Sequence, residues 1–304
     1  MFRNVRLYRV NGAWPESEAE LSQALSRAAF KPCGAYAEHS SGWEAPTGDP
    51  DGALCRRVSG ADLLRLRSQS RLLPAAAVEE ALEQRLEEYR QRMQQEPGRR
   101  EKRRLKEQTR DELLPKALLK SDRTHGFCLV AERILGIDTG SEARAEHFLD
   151  MLRSALGGLD AAPLTFDRPV ARLLSDIFLG SAPRPFTLGR ECRLQDPSDV
   201  KATVRCVSMD LTDPAVRHHV KDGMELTHLG IEVGQALSCV LDQHGVLSKL
   251  KLAGGEDAED ADDQDPLARL DAQFVLLTGT LRELIGTLDR VLGGDRPAEA
   301  RASA

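Results

Sequence analysis

The sequence has few aromatic residues: two Trp, three Tyr and eight Phe make up 4% of its 304 residues. Proteins that hold single-stranded nucleic acid by base stacking need several exposed rings gathered on one surface. The rings of this chain are scattered singly along the sequence. The composition therefore argues against a stacking mode of binding, and it predicts a core built from Leu, Val, Ala and Ile.

The chain also lacks cysteine pairs and long apolar runs. No two of its six cysteines stand at a C-x-x-C spacing, so we expect free, buried thiols in a reducing compartment. No segment approaches the roughly 20 apolar residues of a membrane span, and the segment Met1–Val10 carries charges where a signal peptide needs an apolar stretch. We therefore expect a cytoplasmic protein that does not contact a membrane. The cysteines are Cys33, Cys55, Cys128, Cys192, Cys206 and Cys239.

Signatures of catalysis are missing as well. The sequence has no G-x-x-x-x-G-K-[ST] phosphate loop, no G-x-G-x-x-G turn, no G-x-S-x-G elbow and no H-E-x-x-H helix. The acidic side chains Asp260, Asp262 and Asp263 leave one alternative, a magnesium-dependent nuclease. They lie in a Gly-flanked run, however, whereas a catalytic metal needs rigid ligands. We expect no catalytic activity, no cofactor and no metal, with the nuclease as the competing hypothesis.

Charge is distributed unevenly along the chain. The formal net charge is −6, but seven acidic residues and no basic one lie between Glu256 and Asp265. The run from Arg99 to Arg110, in contrast, holds seven basic and two acidic residues. Binding to a polyanion depends on the local field within about 10 Å. The run is therefore a candidate for contact with DNA phosphates, while a solvated helix face and a contact with an acidic protein partner remain open.

The hydrophobic pattern predicts an α+β protein with mixed antiparallel sheets. Residues 1–73 together with 124–180 are expected to form a central α+β domain. Residues 74–123 are expected to form a projecting helical arm, because the helix predicted from Arg99 to Leu114 has few apolar residues to anchor it. Residues 181–304 are expected to form a strand-rich domain.

Four features organise this strand-rich part. Alternation predicts a strand from Lys201 to Leu211, and Thr212 is the expected N-cap of a short helix that follows it. The low-complexity segment 254–265 is the expected acidic loop. The stripe from Leu267 to Val291 predicts a long C-terminal helix with one apolar face, which needs a partner.

Several short stretches, taken in order, resemble the RdgC family of bacterial recombination-associated proteins. They include the opening NVRLYRV, AFKPCG from Ala29 to Gly34, LLP from Leu72 to Pro74, and DLT from Asp210 to Thr212. The last is RLDA-x-F-x-L-x-TG-x-L from Arg269 to Leu281. The order and spacing of these stretches cover almost the whole chain, and this collinearity makes the match specific.

The resemblance implies a nucleoid-associated protein that binds double-stranded DNA with little sequence preference. It also implies a ring-shaped homodimer whose basic hole encircles a duplex and which limits the access of a recombinase to DNA. On this basis DNA contacts are expected at the basic run and just beyond it, and by proximity in sequence at three residues of the second half. The expected DNA contacts are Arg99, Arg100, Lys102, Arg103, Arg104, Lys106, Arg110, Lys116, Lys201, Arg205 and Lys221.

The resemblance also implies contacts between subunits. They are expected at Leu118, beside the basic run, and on the C-terminal stripe at Leu270, Phe274, Leu277 and Leu281. The chain departs from the family at Leu118, where family members can have an aromatic, so packing there is expected to be aliphatic. It departs again at Ser208 and Met209, where basic and amide residues can occur.

Overall fold

The computed structural model describes residues 2–253 and 265–294. Seven helices occur in this part of the chain: α1 (Glu18–Ser26), α2 (Ala75–Met93), α3 (Arg99–Leu113), α4 (Glu142–Leu156), α5 (Val170–Leu179), α6 (Pro214–Lys221) and α7 (Pro266–Leu292). The strands are β1 (Asn4–Asn11), β2 (His39–Trp43), β3 (Cys55–Val58), β4 (Ala61–Leu72), β5 (Leu118–Leu129), β6 (Ile134–Ile137), β7 (Asp160–Pro163), β8 (Phe186–Gln195), β9 (Thr203–Cys206), β10 (Glu225–Val233), β11 (Leu237–Asp242) and β12 (Leu247–Leu252).

The strands form one large antiparallel sheet, which confirms the α+β class. Its order is β2-β4-β5-β6-β1-β12-β11-β10-β8-β9, with β3 paired to β4 and β7 paired to β1. Strand β1 joins the two halves of the sheet, because Val5 is opposite Leu247 of β12 while Leu7 is opposite Gly136 of β6. The first strand of the chain thus lies at the centre of the sheet.

Helices cover the first half of the sheet on both faces, and the strand sequences reflect this. Leu63 and Phe127 face a core that includes α5 and α7, whereas Leu64 and Cys128 face a second core beneath α1 and α4. Neighbouring residues of a strand point to opposite faces, so a strand that is covered on both sides has consecutive apolar residues.

The apolar stripe of α7 packs against the chain's own sheet. Phe274, Leu277 and Leu281 are 0%, 3% and 0% exposed within this single chain. The ion pair between Arg56 and Asp271, with 2.6 Å from Nη2 to Oδ2, ties the helix to β3. This placement corrects the predicted subunit contact, because a second copy cannot reach these three side chains while the core is closed. Leu270, at the edge of the same stripe, is only partly buried.

Three details of the second half differ from the sequence prediction. Strand β9 is only four residues long within the span predicted from Lys201 to Leu211. The N-cap of α6 is Asp213, whose Oδ1 accepts from the amide of Ala215. The hydroxyl of Thr212 instead donates to Asp210. Asp and Thr both suit this position, so the sequence placed the cap one residue too early.

Two further expectations, on the acidic loop and on membrane spans, can be compared with the described residues only. The acidic loop 254–265 lies outside the described residues except for Asp265, which caps α7. Within the residues that are described, no helix is both long enough and apolar enough to cross a bilayer.

Acid should weaken this fold through His125. The ring of His125 on β5 lies 6.1 Å from the ring of Phe2, and burial lowers its pKa below the usual value of the imidazole. The neutral form of His125 is therefore favoured in the folded chain. The unfolded chain binds the proton more readily, so the free energy of unfolding decreases as the pH falls through the lowered pKa. Between about pH 7 and about pH 5, the unfolding free energy of the wild type should fall more than that of His125→Phe. Denaturant titrations across this range measure the difference, and an equal fall in both chains would contradict the prediction.

Candidate nucleic-acid interface

Helices α2 and α3, which we call the arm, are joined to the sheet by a long two-stranded ribbon. Strands β4 and β5 pair without interruption from Ala61 opposite Leu129 to Leu72 opposite Leu118. The eleven steps between its twelve residues, at about 3.3 Å each, make a ribbon roughly 36 Å long. Its outer end leads on one strand into α2 and receives the chain back from α3 on the other. The last part of the span predicted as arm, residues 118–123, thus belongs to β5.

Arg71 fixes the end of α3 to this ribbon. Its Nη1 donates to the carbonyl oxygens of Leu114, Pro115 and Ala117 at 3.1, 3.2 and 3.2 Å. Its Nε and Nη2 donate to the carbonyl of Gly34. Carbonyls after the last turn of a helix lack intrahelical partners, and a planar guanidinium can satisfy several at once. Arg71 is therefore a positioning residue for the arm.

Helix α3 presents a continuous basic stripe to solvent. Arg99, Arg103, Lys106 and Arg110 follow one another at spacings of three or four residues and are all exposed. Thr109 is on the opposite side, only 2% exposed, and its hydroxyl donates to the carbonyl of Leu105 at 2.7 Å. Side chains three and four residues apart share a helix face, so the buried side of α3 turns the stripe outward.

Part of the basic charge is compensated nearby. Arg103 pairs with Glu107 across one turn, with 2.9 Å between Nε and Oε1. Two further pairs are Arg104 with Glu101 and Arg110 with Glu38, the latter from the loop before β2. Exposed ion pairs of this kind contribute little to stability and exchange readily with other partners.

The rest of the charge is uncompensated. Arg99, Arg100, Lys102 and Lys106 are exposed, and none has an ion pair with another residue in the described ranges. Lys116, in the single 3-10 turn after α3, is likewise exposed. Four of the seven basic residues of α3 thus offer their charge to a ligand. This distribution favours a polyanion over a merely solvated helix, which distributes acids along its face.

The three basic residues proposed for the second half do not form one group. Lys201 precedes β9, Arg205 lies on it, and Lys221 ends the separate helix α6. All three are exposed. Beside Arg205 the structure places Arg193 of β8, which the sequence reading missed. The sequence signal for Arg193 is alternation, because it lies between two apolar residues, Cys192 and Leu194, that face the core. Neighbouring strand residues point to opposite faces, so Arg193 faces away from the core.

An apolar patch lies at the outer end of the ribbon. Leu118 is 76% exposed, its cross-strand partner Leu72 is 49% exposed, and Leu119 is 45% exposed. Leu118 and Leu72 are directly opposite each other and share one face of the ribbon, and we call these two residues the leucine patch, whereas Leu119 points to the other face. A grouped apolar surface on an otherwise charged element is typical of a contact site for protein.

The described residues contain no cluster of candidate metal ligands. Across residues 2–253 and 265–294, no group of three His, Cys, Asp or Glu side chains is arranged to hold a metal ion. The candidate ligands Asp260, Asp262 and Asp263 lie outside the described residues.

The fold and this surface define an α+β protein with a basic helical arm on an antiparallel sheet. Residues 1–295 match the family model described as "RdgC: Putative exonuclease, RdgC". The chain is 31% identical to the "Recombination-associated protein RdgC" of Sodalis glossinidius (strain morsitans) over 301 residues, 98% of this chain and 99% of that protein. Proteins of the same name from Edwardsiella ictaluri (strain 93-146) and Shewanella baltica (strain OS223) are 31% and 30% identical, over 97% and 98% of this chain and 98% and 99% of those proteins. The chain belongs to the RdgC family of recombination-associated proteins.

Proposed function

We propose that this chain binds double-stranded DNA without sequence preference and performs no chemistry on it. The observation that carries the proposal is the uncompensated basic surface of α3, formed by Arg99, Arg100, Lys102 and Lys106. Lysine and arginine contacts to phosphates supply the sequence-independent part of DNA affinity. The arm offers four such contacts in each copy before any ion pair is broken.

Phosphate contact fits this surface better than base readout. Its four uncompensated side chains are two arginines and two lysines on the exposed part of α3, and cations of this kind suit the phosphate oxygens that every duplex offers. Tyr89, the aromatic residue within the two arm helices, is partly buried on α2, whereas stacking surfaces gather several exposed rings. The surface therefore suits positioning along a duplex of any sequence.

We further propose that two copies close into a ring around the duplex. The leucine patch supports this step, because it places an exposed apolar surface beside the basic stripe at the end of the ribbon. Contact between two such patches would bring two α3 helices to the rim of one hole. A closed ring on DNA limits the space that a recombinase needs to load, which agrees with the recombination-associated relatives.

Salt dependence tests the DNA contact. Duplex affinity measured by fluorescence anisotropy should fall steeply with salt, by about 0.9 in the log–log slope for each phosphate contact, and should be similar for duplexes of unrelated sequence. An affinity independent of salt would overturn the proposal. Tight binding to a polyglutamate peptide with none to duplex would instead favour an acidic protein partner.

Closure of two copies into a ring is tested by separate measurements. A closed ring should remain on covalently closed circular DNA for longer than on short linear DNA, where it can slide off the ends. The mass of the particle in solution should be that of two chains. Equal lifetimes on the two DNAs would indicate an open cleft, and a monomeric mass would exclude the dimer.

The family description also supplies the reason to test a second function, that of an exonuclease. Purified protein incubated with magnesium and end-labelled linear duplex should leave the DNA intact if the first proposal holds. Release of nucleotides, lost in Asp260→Asn with Asp262→Asn, would favour the nuclease.

A further inference from the structure

A row of charged and polar residues crosses four strands of the second half of the sheet. Arg205 of β9 is opposite Arg193 of β8, Arg193 is opposite His228 of β10, and His228 is opposite Asp242 of β11. Neighbouring strands are about 4.8 Å apart, so the first three residues follow one another across roughly 10 Å of sheet. Cys192 beside Arg193 faces the core, which puts the row on the opposite face.

The two arginines of this row have no acid to balance them. Like charges directly opposite each other on neighbouring strands are destabilising, yet neither Arg193 nor Arg205 has an ion pair with any residue of the described chain. The nearby carboxylate of Glu191 pairs with Lys249 of β12. The fold thus holds two exposed guanidinium groups together without an internal partner.

The arginines open onto a cleft of about 510 Å³. Val240 lines it with an apolar side chain, and Thr203 and Ser248 add hydroxyl groups that can donate hydrogen bonds. Two guanidinium groups and two hydroxyls surround one space, and the carboxylate of Glu191, which also lines it, is paired with Lys249. Phosphate oxygens are the acceptors that such a set of donors fits best.

We propose that this cleft, centred on Arg193 and Arg205, binds a phosphate group and forms a second phosphate-contact site separate from the arm. It rests on the proposed function only for the source of the phosphate, which we expect to be the backbone of the bound duplex. A second site on the sheet would let one copy grip the duplex at two points, one on α3 and one on β8 and β9.

The test compares the double variant Arg193→Gln/Arg205→Gln with a control of equal charge. Arg27→Gln/Arg144→Gln removes two exposed arginines from the α1 and α4 side of the molecule. The first probe is inorganic phosphate. The measured quantity is the line width of its phosphorus NMR signal, which broadens when phosphate binds to added protein. Wild type and control should broaden the signal saturably, and the double variant should not. Equal broadening by all three proteins would overturn the site.

The second probe is duplex DNA, titrated at several salt concentrations. Loss of two contacts should lower the log–log salt slope by about 1.8, while the control keeps the wild-type slope. An unchanged slope in a variant that has lost phosphate binding would overturn the backbone as the source and assign the cleft to a free phosphate compound. Phosphate broadening by a wild type that binds no duplex would separate the two proposals, since the arm function would fail and the cleft would stand.

Discussion

Replacing Asp62 by alanine should lower the free energy of unfolding by about 3–5 kcal/mol, because it leaves a partly buried guanidinium group without its counter-ion. Asp62 is 0% exposed. Its carboxylate accepts from Nε and Nη2 of Arg57 at 2.6 and 2.7 Å and from the indole N–H of Trp14 at 2.7 Å. Loss of the carboxylate removes all three acceptor contacts at once. Urea denaturation followed by circular dichroism measures the loss.

A control variant and a double variant test whether the unpaired charge causes this loss. The exposed loop residue Asp51 makes a matched control, and Asp51→Ala should stay within about 0.5 kcal/mol of wild type. The apolar pair Arg57→Met with Asp62→Leu should recover the part of this loss that comes from the unpaired guanidinium group, since a buried pair replaced as a whole costs far less than one that is broken, while the indole N–H of Trp14 stays without its acceptor. A loss below about 1 kcal/mol in Asp62→Ala would mean that water reaches and solvates Arg57.

Local sequence was enough to predict most helices and several strands. Helices α4 and α5 are examples, because their apolar spacing is helical and each ends at a glycine, Gly157 or Gly180, in the left-handed region. His244 and Gly245 are a similar local signal, since they lie in the turn that connects β11 and β12. These signals lie within about ten residues of the elements that they define.

Such local signals do not predict which distant strands pair with each other. Nothing in NVRLYRV indicates that β1 lies between β6 and β12, since strand order depends on contacts far apart in sequence. The stripe of α7 likewise indicated that one face of the helix is buried but not what covers it. The covering surface is the chain's own sheet, and the expectation of a second subunit there came from treating an apolar face as unpartnered.

The sequence shows how many charges the basic run carries. It shows only some of the ion pairs that these charges form with acidic residues. The pairs of Arg103 with Glu107 and Arg104 with Glu101 follow from helical spacing. The pair of Arg110 with Glu38 does not, because it joins residues 72 positions apart. The structure therefore changes which residues of the run are best placed to bind.

The structure points to Arg99, Lys102 and Lys106 as the most informative set to replace. Changing all three to Gln should lower the duplex affinity on the order of 100-fold near 0.15 M salt and reduce the log–log salt slope by about 2.7, the effect of three lost phosphate contacts. The unfolding free energy should change little, since exposed helix positions contribute little to stability. Anisotropy titrations at several salt concentrations, with urea denaturation in parallel, measure both quantities.

A matched variant separates local contact from net charge. Arg27, Arg144 and Arg172 are exposed and lie outside the arm, so changing them to Gln removes the same three charges. This control should keep the wild-type salt slope, because exposed charges farther away than about 10 Å are screened. Equal weakening in both variants would mean that duplex affinity follows total charge. An unchanged affinity in the arm variant would remove α3 from the interface and leave the cleft at Arg193 and Arg205 to carry the duplex contact alone.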